Sequence, residues 1–165
     1  MSRGFVKEDD LEHAGTDLPE RPVSTHPNYV TPLGLQLLQQ QSEQLEQQRL
    51  ALAPLKEDAV AQQRLVMVER DQRYVSAKLE QAIVVDPAQQ SGDTVLFGAK
   101  VTVEDDDGES HIFAIVGEDE ADIAANMVSW VSPLAHALLG HKVGESVVWK
   151  RPAGNLNLEI TDIHY

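Results

Sequence analysis

The chain contains no cysteine, so disulfides and thiolate metal sites are excluded and a reducing, cytoplasmic location is expected. Basic residues are scarce: 13 lysines and arginines stand against 27 acids, a formal charge of −14. Such a field repels phosphates and favours basic protein surfaces, which argues against direct sequence-specific DNA binding. No apolar run approaches the roughly 20 residues of a membrane span, and MSRGFVKEDDLEHAG lacks the apolar core of a secretory signal. A soluble protein with no membrane partner is expected. Also missing are a glycine-rich phosphate loop, a nucleophile elbow and a catalytic-triad pattern, so no enzymatic activity of its own is expected. Aromatic residues make up 5% of the chain, too few to wall a prolyl-isomerase pocket.

What is present falls into three segments. Residues 1–28 are acidic, proline-containing and poor in large apolar groups, the composition of a disordered tail. At Thr31-Pro32 a helix begins, with the threonine hydroxyl as cap and proline in the first turn. Leu38, Leu45 and Leu52 then recur every seven residues among glutamines. Beyond Pro54 a second pattern, Ala61, Leu65, Val68, Gln72, Val75, Leu79 and Ala82, has the alternating four- and three-residue steps of a coiled-coil seam. Each helix has one apolar stripe, and the simplest burial packs the stripes together as an antiparallel hairpin over 29–82 with ALAPLKEDAV at its tip. Each arm spans roughly 35 Å at 1.5 Å per residue.

From Ile83 onward the grammar is β. Runs at 83–85, 95–103, 111–116, 146–150 and 156–163 are rich in branched residues, and EDDDGES between the second and third is a hairpin signal. A helix over 132–140 carries a serine cap, a first-turn proline and a terminal glycine. The expected class is α+β: an N-terminal antiparallel helical hairpin, then a mostly antiparallel sheet domain over 83–165 with one short helix.

VLFGAKVTVEDDDGESHIFAIVGEDEAD, SWVSPLAHALLGHKVGESVVWKRPAG and ITDIHY resemble the C-terminal domain of the bacterial Gre transcript-cleavage factors, and YVTPLGLQLL resembles the start of that family's coiled coil. The resemblance covers about residues 29–165. It implies an FKBP-like sheet domain that docks on RNA polymerase beside the secondary channel and a hairpin that enters the channel. Acids at the tip then help hold a magnesium ion in the polymerase active site, shared in trans, so that backtracked RNA is cut. By this resemblance Glu57 and Asp58 are the tip acids, Ser132 and Pro133 the docking pair, and Trp130 beside them a candidate aromatic anchor. Nucleic acid is met only through the polymerase complex, the only DNA-binding association is at family level, and a monomer is implied.

Three departures accompany the resemblance. Pro54 stands where the family has an aspartate, Asp58 where it has asparagine, and Val131 where an acid precedes the Ser-Pro pair. Each arm is also shorter than the family's by about two turns, roughly 10 Å. A regulator that occupies the channel without assisting cleavage is therefore an alternative, and a docking module for another protein is a third.

Plain structural explanations compete at each site. Acids in a first helical turn are favoured by the macrodipole, Ser-Pro is an ordinary helix start, and Trp130 and Trp149 suit core packing. The acidic runs 104–107 and 118–122 lack calcium-loop spacing, and His136 and His141, five apart, suit no zinc pattern. No metal site and no cofactor of its own is expected.

Overall fold

The computed structural model describes residues 18–165. The described chain divides into two compact units, one comprising 29–34 with 83–165 and the other the helical segment 35–82 with 18–28. The sheet unit thus includes the residues that open the first helix.

In the helical unit, α1 (Pro32–Leu52) and α2 (Ala59–Gln81) run 21 and 23 residues. Their antiparallel pairing is read from side chains: Gln62 Nε2 donates to the Leu52 and Leu55 carbonyls at 3.5 and 2.9 Å, and further along Ser42 and Glu46 of α1 line one groove with Gln72 and Ser76 of α2. Leu38, Leu45, Ala61, Val68 and Val75 are buried as the seam demands. Met67 and Lys78 are buried as well, at 3% and 1% exposure, although neither is a seam position. They mark a second covered face of α2. On it Arg21 lies 3.8 Å over the Tyr74 ring and pairs with Asp71, Glu20 pairs with Arg73 at 2.6 Å, and Asn28 Nδ2 donates to the Lys78 carbonyl at 2.7 Å. The segment read from composition as a disordered tail is therefore, over 18–28, a strap with specific partners; its first 17 residues lie outside the described residues.

The sheet unit is built on five strands in the order β5-β4-β3-β7-β6: β3 Lys100–Asp105, β4 Ser110–Val116, β5 Met127–Ser129, β6 Ser146–Trp149 and β7 Leu156–His164. Three of the four pairings are antiparallel, and β5 joins β4 in parallel. A short β1 (Asn28–Val30) pairs with β2 (Ala82–Val84) in a separate two-stranded sheet. Helix α3 (Pro133–Leu138) inserts Leu134, Ala135 and Leu138 among Val101, Val103, Ile115, Val147, Leu158 and Ile160, the main core of this unit.

Two strands were not expected from the sequence, β1 and β5, each only three residues long. The run expected as one strand over 95–103 begins its ladder only at Lys100. Gly98, at φ 88°, bends the chain, and Val95 instead exchanges backbone bonds with His141 and Gly140 beyond α3, at 2.8 and 2.9 Å.

Candidate functional site

The hairpin tip is a six-residue connection between Leu52 and Ala59. Pro54 lies just past the end of α1, where its missing N–H breaks no helical ladder. The Asp58 N–H donates to the Leu55 carbonyl at 3.2 Å, closing a compact turn. Asp58 is then the N-cap of α2: its Oδ1 accepts from the Val60 and Ala61 N–H groups at 3.0 and 3.1 Å. One oxygen satisfies two of the helix's orphan donors, which accounts for an acid here without reference to any partner. Glu57 takes no part in the cap, and its side chain is exposed, as are Pro54, Leu55 and Lys56. The two tip acids are adjacent but chemically unequal.

The second predicted cluster surrounds the start of α3. Ser132 caps this helix, accepting from the Ala135 N–H at 3.3 Å, and Pro133 occupies the first helical position with its ring exposed. Val131, half-buried, donates its N–H to Ser129 Oγ at 3.2 Å. Trp130 is half-buried against the sheet core and meets Tyr29 edge-on, ring centroids 5.1 Å apart at 68°. Trp130 is thus packed on one side and open on the other, and Pro133 is the most exposed member of the cluster.

A link missed from sequence lies where the sheet unit receives the start of α1. Thr31 Oγ1 accepts from the Gly34 N–H at 3.0 Å and donates to Glu120 Oε1 at 2.6 Å. Glu120 is buried. Nothing in the local sequence joins residues 89 positions apart; an acid in an otherwise solvated run, facing a helix start, was the available signal. The acidic β3–β4 turn is also more ordered than a solvated loop. Asp105 is held below the usual carboxylate range, chiefly by its hydrogen bond with His111 and further by the Glu109 and Asp107 N–H groups, against an opposing desolvation.

A model of the transcription elongation factor GreA/GreB C-terminal domain matches residues 89–165. The transcription elongation factor GreB of Neisseria meningitidis serogroup B is 35% identical over 153 residues, spanning 84% of this chain and 94% of that protein. GreA of Beijerinckia indica is 46% identical over 89 residues, spanning 53% of this chain and 57% of that protein. By these matches the chain belongs to the GreA/GreB family of transcription elongation factors. Among solved structures, the crystal structure of GreA factor homolog 1 (Gfh1) of Thermus thermophilus is similar at 25% identity and a TM-score of 0.42, covering 85% of this chain and 100% of that one. No helix among the described residues is long and apolar enough to cross a membrane.

Proposed function

We propose that the protein regulates elongation by binding bacterial RNA polymerase through the sheet unit, with Pro133 and the start of α3 in the contact, and by inserting the hairpin tip into the secondary channel. The observation that carries this reading is the tip itself: two antiparallel helices of 21 and 23 residues end in an exposed turn whose acid, Glu57, is engaged by no cap.

In the cleaving form of this reading, the tip carboxylates would help hold a magnesium ion at the polymerase active site, whose chemistry would be to activate the attacking water. The tip's donors suit a hard cation, since both are carboxylates. Glu57 offers both oxygens. Asp58 offers Oδ2, because Oδ1 already takes two backbone N–H bonds. That commitment favours a second reading, in which the tip fills the channel, competes with other channel binders and does not assist cleavage.

The deciding experiment is RNA cleavage in stalled, backtracked polymerase complexes at saturating protein, with binding measured in parallel. Glu57→Ala removes the uncommitted carboxylate. Asp58→Ser removes the second carboxylate and keeps a cap-competent side chain. Acceleration by the wild type that is lost in Glu57→Ala supports cleavage assistance. Equal binding with no acceleration by any form supports the channel-filling reading, and no binding at all to polymerase overturns both.

A further inference from the structure

We infer that the β3–β4 hairpin carries a binding site for a first-row divalent transition metal, with Asp105, Glu109 and His111 as its protein ligands. One ligand atom from each residue lies within 4.8 Å of the other two. Folding creates this geometry. Asp105 ends β3, Glu109 and His111 flank the start of β4, and Gly108 at φ 79° turns the chain so that one strand end faces the other.

The geometry around Asp105 is that of a prepared ligand. Its side chain is only 9% exposed. Oδ1 accepts from the Asp107 and Glu109 N–H groups at 2.9 and 3.0 Å, which fixes the carboxylate plane. Oδ2 is left facing His111 Nε2 at 3.0 Å. The His111 ring is in turn steadied by Phe113, nearly parallel at 21° with centroids 6.2 Å apart.

Two ligand atoms about 2.0–2.2 Å from one zinc ion, at a bond angle near a right angle or slightly wider, stand about 3 Å apart. The Asp105–His111 pair is already at that separation, so an ion replaces the hydrogen bond between them without main-chain movement. Glu109, exposed on the same turn, supplies the third donor. The backbone N–H groups on Oδ1 do the orienting that outer-shell partners do in metal sites.

The donor set selects the ion. One imidazole and two carboxylates suit zinc and its first-row neighbours, whereas calcium asks for six to eight oxygens. Glu104, Asp106 and Asp107 add local negative potential that gathers cations. Three protein ligands leave further positions to water. Two other histidine–carboxylate pairs, His141 with Glu145 at 2.7 Å and His164 with Asp162 at 2.6 Å, have exposed carboxylates and no third ligand among the described residues, and serve as internal controls.

The test is a titration of the full chain with zinc chloride, followed calorimetrically and by nitrogen-15 spectra of the histidine rings and the backbone amides. The expected result is one zinc ion per chain in the micromolar range, with the His111 ring and the Asp107 and Glu109 amides shifting first. His111→Ala should weaken binding at least about tenfold and the exposed Glu109→Gln several-fold, while His141→Ala leaves it unchanged. Equal zinc affinity in the wild type and both His111→Ala and Glu109→Gln overturns the site. So do first shifts at His141 or His164, or binding seen only in the millimolar range.

Discussion

Thr31 and Glu120 are joined by a 2.6 Å hydrogen bond in which the threonine hydroxyl donates, while the same oxygen accepts from the Gly34 N–H. One hydroxyl thereby caps α1 and satisfies a buried carboxylate of the sheet unit. Thr31→Val keeps the shape and removes both bonds, and should cost about 1–3 kcal/mol. Thr31→Ser restores both and should recover most of the loss. Both tryptophans lie in the sheet unit, so urea denaturation followed by their fluorescence reads this change directly; a Val variant as stable as the wild type would sever the link.

Glycine matters at two positions around that joint, for different reasons. A Cβ on Gly34 would come within 2.6 Å of Glu120 Oε1, and a Cβ on Gly117 would overlap the Tyr29 carbonyl. The first obstacle is the end of a side chain, which can turn aside at the expense of its bond to Thr31. The second is backbone, held by the neighbouring strand pairing. Gly117→Ala should therefore destabilise the sheet unit more than Gly34→Ala, which also gains helix propensity of about 1 kcal/mol. The same fluorescence-detected unfolding ranks them, and the reverse order would contradict the close approach at Tyr29.

At the tip, stability and function separate by residue. Asp58→Ala removes two hydrogen bonds from the start of α2 and should cost the hairpin about 1 kcal/mol. Glu57→Ala removes an exposed side chain outside the cap and should change stability by less than about 0.5 kcal/mol. Far-ultraviolet circular dichroism during thermal unfolding reports the helices and measures both. Equal losses would mean that Glu57 has a structural role that the geometry does not assign to it.

The strap over 18–28 offers a contrast between an exposed ion pair and a stacked one. Glu20 is held below the usual carboxylate range by its hydrogen bond with Arg73, yet both groups stand mostly in water, at 60% and 57% exposure. Salt screens such pairs, so Glu20→Ala should have little effect, and less still in molar salt. Arg21, by contrast, stacks on Tyr74 and reaches Asp71. Arg21→Ala should cost about 0.5–1 kcal/mol and keep most of that cost in salt. A loss that vanishes in salt would make the contact purely ionic.

How far these relationships were legible in the sequence follows from their range. The hairpin was readable because its seam repeats locally, from Leu38 to Leu52 and from Ala61 to Leu79, and Pro54 can only sit at a break. Asp58, read as an acid of the first helical turn, stands instead at the N-cap just before it, a shift of one position that the pattern of α2 alone does not resolve. Composition did not show the strap, because the pairing of Arg21 with Asp71 spans 50 positions of polar sequence. The parallel strand β5 was hidden for a different reason: at three residues it has no period to detect. The metal-ligating turn fell between the two cases, since Asp105 and His111 are close in sequence but come together only through the register of β3 and β4.

Tyr165 closes the sheet unit beside Thr94 and makes its stability sensitive to alkali. Tyr165 Oη donates to the Thr94 carbonyl at 2.5 Å and accepts from the Leu96 N–H at 2.9 Å. Burial raises its pKa, opposed in part by the Leu96 N–H. The fold therefore favours the neutral phenol over the phenolate. That contribution is fully present below the unfolded-state pKa of about 10 and is lost as pH climbs through the higher folded value. Ionisation also ends the donation to Thr94 and sets an anion against a carbonyl oxygen. Tyr165→Phe should be less stable at neutral pH by about 1–2 kcal/mol, from two lost hydrogen bonds. Above pH 10 the wild type should lose this advantage. Urea midpoints for both proteins across pH 7–11 test this: converging curves bear out the C-terminal clasp, and parallel curves would show that the phenol does not ionise against Thr94.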